Sequence, residues 1–100
     1  MASYSVTVPH ELGQATALAR VERFLDDVRR DYADRISDVR GQWSGNRLQF
    51  GFSASGISIN GTLVVEEDAV HVNGPLPLMA AMFRGRIEQT IRDDLERLLS

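Results

Sequence analysis

Apolar and polar residues alternate along five short segments of this chain. The first runs from Tyr4 to Val8, and Pro9 is predicted to end it because proline cannot donate to a ladder. Four more follow, separated by short turn sequences: Ile36 to Trp43, Arg47 to Ala54, Ile57 to Val65 and Ala69 to Val72. Hairpin-length connections predict that these four strands form an antiparallel meander, in which Gly41 weakens the first. The residues from Asn73 to Pro77 break the alternation and are expected to leave the sheet.

Two longer segments repeat their apolar residues every three or four positions, which is typical of amphipathic helices. The first helix is predicted from about Glu11 to Ala33, with an apolar stripe of Leu18, Val21, Leu25, Val28 and Tyr32, widened by Ala17 and Phe24. The second is predicted from about Leu78 to Leu99, with a stripe of Phe83, Ile87, Ile91, Leu95 and Leu98. Gly85 lies inside the second helix and could mark a close approach to another backbone.

The resulting order, β-α-β-β-β-β-α, predicts an α+β fold. We expect two layers: a four- to five-stranded, mainly antiparallel sheet and two helices on its apolar face, with the polar face in solvent. The place of the first strand stays open; if it lies parallel to its neighbour, a right-handed crossover through the first helix is expected. The chain has 100 residues, which predicts a single domain over residues 1–100.

The amino-acid composition excludes several kinds of catalytic and metal site. The chain has no cysteine, and all eleven basic residues are arginine, which excludes thiolate chemistry, cysteine-ligated zinc and lysine Schiff bases. The net charge of −3 argues against nucleic-acid binding, which usually requires a basic face. The first residues do not resemble a signal peptide, and no apolar run is long enough to span a bilayer. We therefore expect a cytoplasmic protein without a transmembrane segment.

No group of residues predicts a catalytic, cofactor or metal site. His10 and His71 stand apart from each other and from any serine elbow; His10 is expected to cap or pack the helix start, and His71 to lie on the surface. The carboxylate pairs at 26–27 and 93–94 and the acidic run at 66–68 are expected to be solvated. The chain is therefore predicted not to be an enzyme and to carry no cofactor.

One segment is more apolar than a helix stripe requires. Residues 76–83 are nearly all apolar, and Met79 and Met82 flank the positions predicted to face the sheet. Either the overhanging first helix covers them, or they form with Phe83 a contact patch for a partner, a lipid-like surface or a ligand. Trp43 is the fourth candidate contact residue, because a lone tryptophan either stacks on a ligand or packs at the core margin.

The chain also resembles a family, the putative polyhydroxyalkanoic acid system proteins, small bacterial proteins linked to polyester storage granules. The resemblance covers nearly the whole chain and rests on the order and spacing of short motifs: Val6-Thr7-Val8-Pro9-His10-Glu11-Leu12-Gly13, Trp43-Ser44-Gly45-Asn46-Arg47-Leu48-Gln49-Phe50, Gly61-Thr62-Leu63-Val64-Val65, Asp68-Ala69-Val70, Leu76-Pro77 and Phe83-Arg84-Gly85-Arg86-Ile87-Glu88. It implies a role in polyhydroxyalkanoate synthesis, use or granule surfaces, and it assigns no catalytic residue.

The leading hypothesis is therefore a non-enzymatic accessory protein that binds the surface of polyhydroxyalkanoate granules or a granule-associated protein. The alternative is a small apolar-ligand-binding module of helix-grip type, which needs a cavity of roughly 300 Å³ or more between sheet and helices. An enzyme of granule metabolism is the third and least supported hypothesis. An open edge strand could also pair with a second copy, so a homodimer is a further hypothesis.

Overall fold

The structure, a computed structural model that describes residues 2–100, is a five-stranded sheet with helices packed on one face. Its strands are β1 (Ala2–Pro9), β2 (Ile36–Ser44), β3 (Arg47–Ala54), β4 (Ile57–Val65) and β5 (Ala69–Leu76). Its helices are α1 (Gln14–Val21), α2 (Phe24–Asp31), a 3₁₀ helix (Leu78–Phe83) and α3 (Arg84–Leu99). The predicted α+β fold is confirmed, with the first predicted helix present as two.

All neighbouring strands of the sheet are antiparallel, in the order β1-β5-β4-β3-β2. The meander from β2 to β5 is therefore as predicted. The first strand pairs with the last, with Val6 opposite Val72 and Val8 opposite Val70. Because this pairing is antiparallel, no parallel crossover forms, and β1 and β2 are the two edges of the sheet.

The prediction that the chain leaves the sheet at Asn73 is wrong. The last strand continues to Leu76, because β1 pairs with it as far as Ala2 opposite Leu76. Pro75 is tolerated there since the pairing between β4 and β5 begins only at Thr62 opposite Asn73. A proline is acceptable in a strand where it has no ladder bond to donate on that side.

The prediction that Gly41 interrupts β2 is wrong, because the strand runs through it. Gly41 instead makes room for a helix. A Cβ atom at Gly41 would overlap the Leu25 side chain of α2 and lie 3.1 Å from Leu48 Cδ1. The irregularity of β2 lies earlier, where the register shifts between Ser37 and Arg40. The missing side chain therefore lets α2 approach the sheet closely.

The predicted single helix over residues 11–33 is two helices. The chain turns at Glu22 and Arg23, where the Arg23 amide reaches the Arg20 carbonyl oxygen at 3.5 Å, the spacing of a tighter 3₁₀ turn. A straight rod of about 35 Å would overrun the sheet. Two eight-residue helices instead bury the sides that carry Val21 and Phe24.

The second predicted helix is also divided, and α3 begins only at Arg84. The six residues before it form a 3₁₀ helix, whose first turn is closed by the Ala80 amide bonded to the Pro77 carbonyl oxygen at 2.9 Å. Gly85 is not at a close backbone approach, because a Cβ atom there would meet nothing within 4 Å.

The core lies between the helices and the apolar face of the sheet. Its fully buried large side chains come from every layer: Tyr4, Leu48, Leu63, Leu95, Val6, Val21, Val65, Val70 and Val72. Phe24 of α2 meets Phe50 of β3 edge to face, with ring centroids 6.0 Å apart. The opposite face carries exposed polar side chains such as Gln49 and Asn60, as predicted.

Candidate functional site

The most exposed large apolar side chains among residues 2–100 lie together in the 3₁₀ helix, which we call the apolar segment (Leu78–Phe83). Within residues 2–100, the four exposed large hydrophobic residues all belong to it: Leu78 (89% exposed), Met79 (74%), Met82 (82%) and Phe83 (48%). The first helix therefore does not cover them. The prediction that Phe83 belongs to the core stripe is wrong, because the stripe assumes an α-helical period that a 3₁₀ helix does not have.

Two buried residues fix the apolar segment to the domain. Leu76, the last residue of β5, and Ala80, inside the 3₁₀ helix, are both 3% exposed and belong to the core. Three residues per turn place Phe83 on the same side as Ala80, so Phe83 is only half-exposed, while Leu78, Met79 and Met82 lie on the other sides. The apolar side chains are thus held outward by a short anchored helix between β5 and α3.

Trp43 does not join this segment. It lies on β2, one edge of the sheet, whereas the apolar segment packs beside β1 and β5 at the other. Four strand spacings of about 4.8 Å put about 19 Å between β2 and β1. Trp43 is half-buried and packs against the core, which fits the margin position that the sequence allowed.

A second feature is an apolar cavity of about 290 Å³ between α2, α3 and the strands β2 and β3, which we call the helix–sheet cavity. Its walls are mostly apolar: Phe24, Val28, Tyr32, Ile36, Phe50, Phe52, Ala54, Ile87 and Ile91, with Thr90, Arg35, Arg86 and Asp94 among them. A ligand-binding module of helix-grip type requires such a space, but the sequence does not indicate which residues form it. The apolar spacing that predicts a stripe does not show where two packed layers leave a gap.

Two arginines and one aspartate line the helix–sheet cavity. Arg35, in the connection after α2, and Arg86, near the start of α3, are exposed residues of its lining, so they lie where it meets solvent. Asp94 also lines it, and its Oδ2 atom is buried without a hydrogen-bond partner among the described residues. Burial raises the pKa of the Asp94 carboxyl above its ordinary value, while the Arg97 guanidinium opposes that rise.

Arg97 joins α3 to α2 through carboxylates that the sequence analysis expected to be solvated. It contacts Asp94 on its own helix, and it lies 3.7 Å from Asp27 Oδ2 and 3.6 Å from Asp31 Oδ2. Arg30 holds the other oxygen of Asp27 at 3.1 Å. The expectation is wrong for Asp27 and Asp94, because the side of α2 that faces α3 is buried and supplies its own counter-ions.

Both histidines form hydrogen bonds within the fold. His10 is buried: its Nδ1 accepts from the Leu12 amide at 3.1 Å, which leaves Nε2–H to donate to the Glu66 carbonyl oxygen at 3.2 Å. His10 thus orders the turn before α1. His71 is half-exposed on the polar face, with its Nδ1 3.0 Å from the Thr7 hydroxyl.

A broad depression of about 540 Å³ lies on the polar face, where β4 and β5 diverge. Arg40 lies in it and donates to the Asn60 side-chain oxygen at 3.3 Å. Gln42, Gln49, Thr62 and Asn73 form a polar row across four strands beside it.

Within residues 2–100, no helix is long and apolar enough to cross a membrane.

Comparison with solved structures finds a similar fold. The match is described as a putative protein in the dynemicin biosynthetic locus, DynU16, with a TM-score of 0.68 over 97% of this chain and 14% sequence identity. This chain spans 45% of the length of that protein. The arrangement is helix-grip-like, and at this identity the likeness shows the fold alone. A search of curated proteins finds no match to this chain.

Comparison with protein families agrees with the motifs in the sequence. The profile of one family matches residues 5–99, which is every element of the fold from the middle of β1 to the end of α3. The family is described as putative polyhydroxyalkanoic acid system protein. This chain therefore belongs to the family of putative polyhydroxyalkanoic acid system proteins.

Proposed function

We propose that this chain is a non-enzymatic accessory protein of the polyhydroxyalkanoate system, acting in the cytoplasm at storage granules. It attaches by its apolar segment to the granule surface or to a granule-associated protein. The observation that carries the proposal is the clustering of exposed side chains: within residues 2–100, all four exposed large hydrophobic residues fall in the six residues from 78 to 83.

Exposing these apolar side chains to water costs free energy. Burying one side chain of leucine, methionine or phenylalanine contributes roughly 1.5–3 kcal/mol, so four together can hold a protein on an apolar surface even after ordering costs. Methionine is flexible and polarisable, which suits a surface of irregular shape such as a polyester. Arg84 follows the segment and is exposed, so it can contact acidic groups beside such a surface.

Imaging is the first test. A fluorescently tagged chain is expressed in a polyester-accumulating bacterium and viewed with and without granules. We expect the signal to move to the granules when they form. A signal that stays diffuse in granule-filled cells would contradict the proposal.

Variants then test whether the apolar segment is responsible. Met79→Ser with Met82→Ser removes two exposed side chains without touching the core, and Phe83→Ser added to them removes a third. The matched control replaces exposed residues of the polar face, Gln42→Ser with Gln49→Ser. We expect the segment variants to become diffuse, the control to stay on granules, and the thermal unfolding of all to remain close to that of the unsubstituted protein.

A purified system separates the two attachment modes. Polyester particles stripped of protein are mixed with the purified chain and sedimented. Co-sedimentation that the segment variants lose supports direct attachment to the polyester. Granule localisation in cells without co-sedimentation supports attachment through a granule-associated protein. Segment variants that still reach granules in cells would rule out the segment as the attachment site.

A further inference from the structure

The helix–sheet cavity opens to solvent beside Arg35 and Arg86, and its walls are mostly apolar. Water inside it lies against apolar side chains, and a ligand that displaces this water removes apolar surface from water. Its 290 Å³ lies close to the lower end of ligand-pocket volumes, roughly 300–1,000 Å³. The space therefore fits a small molecule that covers these apolar walls.

The walls favour an apolar occupant. On α3, Ile87 and Ile91 are one turn apart and share one side of the helix, and Val28 of α2 and Phe50 of β3 line the same space. Phe52 extends the apolar lining along β3. A saturated hydrocarbon chain can contact all of these apolar surfaces and brings no polar group of its own into the cavity.

The charged residues select the head group. Arg35 and Arg86 both line the cavity and are exposed, and neither forms an ion pair within residues 2–100. Two unpaired guanidinium groups beside an apolar space complement a carboxylate, which arginine binds in bidentate fashion. The acidic lining residue, Asp94, is about 12 Å further along α3 from Arg86 and is occupied by Arg97, so it does not oppose an anion at the arginines.

We propose that the helix–sheet cavity binds an acyl chain with a carboxylate head group, the head group paired with Arg35 and Arg86 and the chain lying against Val28, Phe50, Ile87 and Ile91. This site is separate from the apolar segment and does not depend on granule attachment. It adds a second, molecular ligand to a protein whose family description names only a polyester system.

Calorimetric titration of the full chain with butanoate, hexanoate, octanoate and decanoate tests the ligand class. Each methylene that enters the cavity is expected to strengthen binding about fourfold, from about 0.8 kcal/mol per group, until the chain outgrows the space. Octan-1-ol and octylammonium carry the same tail without the negative charge and are expected to bind more weakly than octanoate. Equal binding of all three would overturn the carboxylate assignment.

Two arginine variants test the head-group site. Arg35→Gln with Arg86→Gln is expected to weaken octanoate binding about two- to thirtyfold, the range for two exposed ion pairs, and to leave octan-1-ol binding unchanged. The matched control is Arg23→Gln with Arg47→Gln, which removes the same charge from exposed positions away from the cavity lining and should bind octanoate as before. Loss of affinity in the control alone, or in neither variant, would contradict the proposal.

Chemical-shift mapping on the unsubstituted protein decides the location without any variant. Octanoate is expected to move the amide signals of α2, the centre of α3 and β3, and to leave the apolar segment unaffected. Shifts confined to residues 78–83, or no shift at millimolar octanoate, would overturn the cavity site. Met79→Ser with Met82→Ser should abolish granule localisation but not octanoate binding. Failure of the granule proposal can therefore be distinguished from failure of the cavity proposal.

Discussion

The Tyr4 hydroxyl donates a hydrogen bond of 2.8 Å to the carbonyl oxygen of Asn60, and so joins β1 to β4 across the strand between them. The bond replaces ladder pairing that is missing there, since β4 and β5 pair only from Thr62 opposite Asn73 onward. Tyr4 lies opposite Gly74, where a Cβ atom would lie 2.9 Å from the same hydroxyl. The absence of a side chain at Gly74 on β5 thus leaves space for the Tyr4 side chain to reach β4.

Replacing Tyr4 by phenylalanine tests the value of this bond. The ring remains in the core, but the Asn60 carbonyl oxygen loses its partner, so we expect the free energy of unfolding to fall by about 1 kcal/mol. Denaturant titration of the two proteins measures the difference. No change in the unfolding midpoint would mean that water replaces the hydroxyl at no cost.

Gly61 should tolerate no side chain, and Gly85 offers a matched control. A Cβ atom at Gly61 would overlap the Tyr4 hydroxyl and lie 2.7 Å from Phe50 Cζ, so Gly61→Ala is expected to destabilise the fold by roughly 1–3 kcal/mol. A Cβ atom at Gly85 meets nothing within 4 Å in a helix, so Gly85→Ala should stabilise by about 0.4–1 kcal/mol. Thermal unfolding of both variants checks the opposite signs; a stable Gly61→Ala would contradict the close packing.

The sequence predicted those features that depend on local periodicity. Alternation located four of the five strands closely, because a period of two is independent of the partner strand. It failed where a remote element decides the local structure. The strand β5 runs past Asn73 only because β1 pairs with it, and nothing local to residues 73–76 shows that partner.

The candidate sites divide in the same way. Leu78, Met79 and Met82 stand out in the sequence as an excess of apolar residues, and their exposure follows once the segment is a 3₁₀ helix. The helix–sheet cavity has no such sign, since its apolar residues have the spacing of ordinary core residues. Asp27 has the spacing of a solvated residue, yet it is buried beside Arg97. The sequence does not show this pair, because Arg97 lies 70 positions away along the chain.

Arg97 should matter more for stability than its half-exposed side chain suggests. Arg97→Gln leaves the buried Asp27 with only Arg30 and removes the counter-ion of Asp94, so we expect a loss of about 2–3 kcal/mol, below the full cost of breaking a buried pair because Arg97 is partly solvated. Arg29→Gln removes a pair with the exposed Asp26 and an exposed hydrogen bond to the Val39 carbonyl oxygen; it is the matched control and should cost under about 1 kcal/mol. Equal costs in denaturant titration would show that the cluster adds nothing.

Asp94 should give the protein a distinct pH dependence. Its carboxyl has a raised pKa in the folded state, mainly through burial, so the folded protein binds this proton more readily than the unfolded chain does. The contribution of Asp94 to stability is therefore least favourable at neutral pH, and it increases as the pH falls through the folded-state pKa towards the ordinary carboxyl value. Asp94→Asn has no proton to bind and removes this increase.

The measurement is the free energy of unfolding of both proteins from pH 7 down to pH 4, taken as a difference so that other groups cancel. We expect the unsubstituted protein to gain stability relative to Asp94→Asn as the pH falls. Asp93→Asn, which removes an exposed neighbouring carboxylate bonded to Gln89, controls for the change in net charge. A difference that stays constant with pH, or that runs in the opposite direction, would show that Arg97 rather than burial governs the ionisation of Asp94.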